Sequence, residues 1–185
     1  MKKQILILPM LILAIVFTSC SDDDPVPVNE QEVITTVEVT LTNGTDSYVL
    51  SWEDLDGDGP NEAVVLGATI PAGDYNGDIQ LYNKTVPEED EEYVVTVEIL
   101  EEDLDHQFFF NPINGLDLDG DYSDQDSAGN PIGQQFEITA VASSGDLNIV
   151  LLHEPDKNAA GVSDGEITNA GGETDVDITF PIIVQ

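Results

Sequence analysis

Basic side chains are almost missing from this sequence. Its 185 residues include four, every one a lysine, against 38 Asp and Glu, for a formal net charge of −34. A chain this acidic is repelled by phosphate backbones, which excludes nucleic acid as a partner. Cysteine occurs once, at Cys20, so no internal disulfide can form and stability must come from packing or from bound ions. Tryptophan also occurs once, and aromatics make up 6% of the chain, too few for a broad carbohydrate-stacking platform. There is no Gly-x-Ser-x-Gly elbow and no phosphate-cradling Gly-x-x-x-x-Gly-Lys loop, and neither of the two histidines sits in a serine-hydrolase context. With 38 acids some close carboxylate pair is inevitable, so such pairs carry no signal for glycoside cleavage.

The longest apolar run is short. Ile5 to Phe17, broken only by Pro9, follows Lys2 and Lys3 and leads into Thr18-Ser19-Cys20, the order of a cleavable signal peptide. It is well below the roughly 20 residues that span a bilayer as a helix. Phe17-Thr18-Ser19-Cys20 resembles a lipobox, in which cleavage precedes a diacylated cysteine. Residues 1–19 are therefore expected to be removed and Cys20 to carry a membrane-anchoring lipid. Ser21-Asp22-Asp23-Asp24 opens a polar, proline-containing stretch that reads as an extended linker over residues 20–32. The same acidic run resembles the signal that sends lipoproteins of Bacteroidetes-type bacteria to the outer face of the outer membrane. The expected location is the cell surface, with the periplasmic face of that membrane as the alternative.

From Val33 the sequence alternates with period two. Val33, Thr35, Val37, Val39 and Leu41 share one face, and Asn43-Gly44 then turns the chain into Tyr48, Leu50 and Trp52. Further strands are predicted near 63–70, 78–85, 107–111, 116–122, 134–142, 146–153 and 174–184, where Val176, Ile178 and Phe180 alternate with Asp175 and Asp177. The stretch from Glu88 to His106 reads either as a strand over Tyr93–Leu100 or as a short acidic helix. Residues 33–185 are thus expected to form an all-β, antiparallel sandwich of eight or nine strands, Ig-like or jelly-roll-like.

Several segments then resemble a known group: Trp52-Glu53-Asp54-Leu55-Asp56-Gly57-Asp58-Gly59, His106-Gln107-Phe108-Phe109-Phe110, Tyr122 to Gly133, His153-Glu154-Pro155-Asp156-Lys157, and Ser163 to Asp177. The chain looks like the small lipoproteins of Bacteroidetes-type bacteria that often carry the label of type 1 periplasmic binding fold proteins. The resemblance implies a surface lipoprotein serving as an accessory to an outer-membrane TonB-dependent receptor. It supplies no established activity, and a non-enzymatic binding or assembly module is the expected function. A carboxylate-dependent hydrolase acting on extracellular glycans is one alternative.

Two metal chemistries are legible in the residue pattern. Asp54, Asp56 and Asp58, with Gly59 next and Glu62 further on, match the first part of a calcium-loop spacing, because hard cations collect oxygen ligands. The twelfth position is Val65, so the loop is no EF-hand, and an Asp-Gly turn explains the same residues. Asp117, Asp119, Asp121, Asp124 and Asp126 form a second acidic stretch with the same calcium potential. The second chemistry involves His106 and His153, each bordering a predicted strand end. If those strands are neighbours, the two imidazoles and a nearby carboxylate form a transition-metal site. Otherwise they are separate structural histidines, hydrogen-bonded at strand termini.

Overall fold

A computed structural model describes residues 32–57 and 59–185, within a compact unit that begins at Gln31. Residues 1–19, Cys20, Ser21 to Asp24 and Asp58 lie outside the described residues.

The alternating segments form ten strands among the described residues. They are Thr36–Asn43 (β1), Asp46–Glu53 (β2), Val64–Leu66 (β3), Ala68–Ile70 (β4), Gly73–Tyr82 (β5), His106–Ile113 (β6), Leu118–Tyr122 (β7), Gln135–Ala140 (β8), Ser143–His153 (β9) and Glu173–Val184 (β10). One sheet has the order β3-β2-β1-β5-β8-β7 and the other the order β4-β10-β9-β6. The stretch that admitted either strand or helix contains a helix, Val95–Glu101 (α1), which packs on β5 with the Thr96 hydroxyl 2.7 Å from the Leu81 amide.

Alternation supplies the core. Val37, Val39 and Leu41 of β1, Ile79 and Leu81 of β5, and Phe136 and Ile138 of β8 meet Phe108 of β6, Leu147, Ile149 and Leu151 of β9, and Val176, Ile178 and Phe180 of β10. A second, smaller cluster lies on the other face of β6 and β9. There Phe109, Val150 and Leu152 are covered by Val162 and Ala170 of the 154–172 connection. This double coverage explains why 108–110 and 149–152 are apolar at every position, where a half-exposed strand would alternate.

The sandwich expectation holds, with two corrections. The predicted strand over 63–70 is two strands in different sheets. The chain crosses between them at Gly67, where an added Cβ would strike the Pro181 carbonyl of β10. The architecture is also not wholly antiparallel, because β4 pairs with β10 in parallel, Ile182 opposite Ala68 and Val184 opposite Ile70. Changing sheets at Gly67 delivers β4 alongside β10 in that direction.

Candidate metal centre

The two histidines are neighbours. His106 is the first residue of β6, His153 is the last of β9, and the antiparallel register sets them directly opposite one another. The flanking residues fix which way they point. His153 shares a face with Ile149 and Leu151, and His106 shares one with Phe108, so both rings enter the space between the sheets at one end of the core. The rings lie edge to face with centroids 4.5 Å apart.

Two carboxylates join them. Asp175 arrives through a bulge in β10. Thr174 pairs with Leu152 and Val176 with Leu151, so Asp175 is an extra residue between two otherwise adjacent pairs. Simple alternation sets Asp175 beside Asp177 on the exposed face. The inserted residue breaks that alternation and brings Asp175 Oδ2 to 3.9 Å from both His106 Nε2 and His153 Nδ1. Glu32 comes from the segment ahead of β1, with Oε1 3.3 Å from His106 Nε2 and 4.0 Å from His153 Nδ1. One donor atom from each of the four residues lies within 4.8 Å of every other. The His106 side chain is fully buried, and those of Glu32 and Asp175 are 2% exposed.

Backbone groups near the site hold it. His106 Nδ1 is 3.2 Å from the carbonyl oxygen of Glu102, just past α1. A carbonyl only accepts, so Nδ1–H donates, and a neutral His106 then turns its Nε2 lone pair toward the Glu32 carboxylate. Two acceptors facing each other at 3.3 Å require a cation between them, either a proton or a metal ion. The titration tendencies agree. Burial opposes charge on both groups, yet the Glu32 carboxylate, the Glu102 carbonyl and Asp175 together raise the His106 pKa. The two imidazoles and the Glu32 backbone likewise lower that of Glu32. Glu32 Oε2 is buried with no hydrogen-bond partner among the described residues. On the far side, Gly172 adopts φ +75°, and an added Cβ would strike the His153 carbonyl. The Gly171-Gly172 pair thereby lets the chain enter β10 directly beside His153.

The donor set discriminates among ions. Two imidazole nitrogens with two carboxylate oxygens suit a borderline transition ion, whereas calcium requires six to eight oxygens. Tetrahedral donors at 2.0–2.1 Å from zinc stand about 3.4 Å apart; the imidazole–carboxylate separations are 3.3 to 4.0 Å and all four donors lie within 4.8 Å of one another, so the set must contract to close on zinc.

The acidic stretches meet a different fate. Asp124 accepts the amides of Gly133 and Gln135 on its two oxygens, and Asp126 accepts those of Ala128 and Asn130 together with the Lys157 ammonium. Asp119 and Asp121 lie exposed on β7, and Asp117 precedes it. Asp117 to Asp126 therefore do not close on one point, because strand pairing and turn amides claim them separately. In the first loop Asp56 accepts the side-chain amide of Asn61 at 2.6 Å, Asp54 is half-buried and Glu62 is exposed. Among the described residues, the His106 centre is the one grouping of three or more potential ligands. A cleft of about 500 Å³ between edge strands β6 and β7 is floored by Phe110, Leu118 and Tyr122 and rimmed by Asp119, Asp121 and Asp164.

Reading the sequence pairs the histidines conditionally and leaves both carboxylates unassigned. Glu32 falls at the end of the apparent linker, and Asp175 sits on the polar side of an alternating strand. Comparison of the chain with family models, curated proteins and solved structures gives no match.

Proposed function

We propose that this chain is a lipid-anchored, non-enzymatic protein that binds a divalent transition ion, zinc fitting best, through Glu32, His106, His153 and Asp175. The observation that carries this reading is the burial of two imidazoles and two carboxylates around one point, with His106 Nε2 left without a hydrogen-bond partner among the described residues. A buried acceptor in that condition costs about 1–3 kcal/mol, a cost that a coordinated cation removes. Four protein donors complete a tetrahedral shell and leave no position for a substrate, which favours binding over catalysis. The charge of −34 concentrates cations around the domain. Together with the lipobox-like and export-like runs, this supports an accessory role beside an outer-membrane TonB-dependent receptor that imports the ion.

Thermal unfolding of the chelator-treated full chain tests the site. A ligand at a hundredfold excess over Kd adds about 2.7 kcal/mol, which for a chain of this size is a rise of about 5–11 °C. Zinc should produce it, whereas calcium or sodium chloride at matched ionic strength should not. His153→Ala should abolish the zinc response. A parent protein that responds equally to zinc and calcium has no such site.

A further inference from the structure

Three of the four donors are fixed by sheet ladders, and the fourth is not. His106 and His153 face each other across β6 and β9, and Asp175 lies within the β9–β10 ladder. Glu32, Val33 and Ile34 belong to no strand, and the first backbone hydrogen bond of this segment to another described residue is Thr35 N–H to the Tyr82 carbonyl. Val33 is 56% exposed, and Ile34 alone packs partly against the core. The Glu32 carboxylate is nonetheless buried, held by its approach to two imidazoles.

Resting on the metal reading above, we infer that Glu32–Ile34 is a strap whose docking is set by the ion. Occupancy holds the strap on the sandwich, and its release opens the site for exchange. With the ion bound, Glu32 ties the segment ahead of β1, in the six-stranded sheet, to three strands of the four-stranded sheet. With the ion removed, Glu32 Oε1 is left facing His106 Nε2 at 3.3 Å, and among the described residues no ladder retains the strap. Undocking then hydrates the carboxylate at the expense of the Ile34 contact and of the Glu32 approach to the imidazoles. His106, fully buried beneath this segment's carboxylate, is uncovered when Glu32 leaves. In sequence the strap begins at the last residue of the linker expected over residues 20–32.

Two measurements on the full chain test this. Hydrogen exchange at Val33 to Thr35 should be at least tenfold slower with zinc than in chelator, while the middle of β9 is unchanged. Zinc release into a chromogenic chelator, 4-(2-pyridylazo)resorcinol, should accelerate at least tenfold in Glu32→Gln. It should also accelerate severalfold in Ile34→Ser, which alters no donor. A ligand role for Glu32 alone would move the first variant and not the second. If zinc binds but exchange at 33–35 ignores it and Ile34→Ser releases at the parental rate, the strap is wrong while the metal centre stands. If no zinc binds to the parent, both readings fall.

Discussion

At the scale of single residues, the most informative pair lies outside the candidate metal centre. Lys157 is buried, with its ammonium donating to Asp126 Oδ2 at 3.0 Å and to the Asp103 carbonyl at 2.7 Å. In a chain so poor in cations this lysine pins the 154–172 connection, which covers the second apolar cluster, to the 123–133 loop. Burial raises the Asp126 pKa, but the Lys157 ion pair and the Asn130 and Ala128 amides outweigh it and the net shift is downward. A carboxylate whose folded pKa is depressed adds stability that is present above its unfolded pKa, about 3.9, and lost as pH falls through the folded value. Asp126→Asn should cost about 3–5 kcal/mol at pH 7, because it strands a buried ammonium. Urea unfolding of parent and variant should show that gap shrinking only below about pH 4. A gap that closes between pH 7 and pH 5 would assign the pH dependence to other groups.

At the scale of elements, the bulge in β10 decides whether the site exists. It converts a strand that reads Asp-out and Val-in into one that presents Asp175 to the histidines while keeping Val176, Ile178 and Phe180 in the core. Deleting Asp175 sets Thr174 and Val176 against the consecutive residues Leu152 and Leu151 and regularises the ladder. The deletion should therefore fold, with a chelator-state melting point within a few degrees of the parent, yet lose most of the zinc-induced rise. Asp177→Asn, two residues along on the exposed face, should keep that rise in full, as exposed substitutions usually change stability by less than about 0.5 kcal/mol. A deletion variant that still gains the parental zinc shift would remove Asp175 from the donor set. The short helix α1 acts similarly at one remove, since the Glu102 carbonyl just past its end orients His106.

At the scale of the whole molecule, the proposed lipid anchor is predicted to be separable from the proposed metal centre. Cys20 is the sole cysteine, and the proposed donors are Glu32, His106, His153 and Asp175. Cys20→Ser should accordingly move the protein from the detergent phase to the aqueous phase on phase separation, with its zinc-dependent melting shift intact. If the variant fractionates with membranes as the parent does, lipidation at Cys20 is not what holds the protein there.

Most of the fold was legible because period-two alternation is a local property, and a strand's inner face must be apolar to be buried. β1 and β2 around Asn43-Gly44, β8 over Gln135–Ala140 and the buried side of β10 all follow from it. The charge, the lone cysteine and the placement of both histidines at strand ends are likewise properties of the chain itself. The pairing of those strand ends was decided in three dimensions. Register between β6 and β9, 37 residues apart at Asn111 and Asn148, depends on packing that no short window contains. Asp175 turns inward because one extra residue in a ladder shifts the facing of its neighbours, and nothing in Glu173-Thr174-Asp175 announces the insertion. Glu32 carries the composition of a linker and joins the histidine cluster only because the sheet beginning at Thr36 lies across from the one holding His106. The acidic stretch 117–126 shows the converse: its spacing invites an ion, but the turn amides and Lys157 reach Asp124 and Asp126 first.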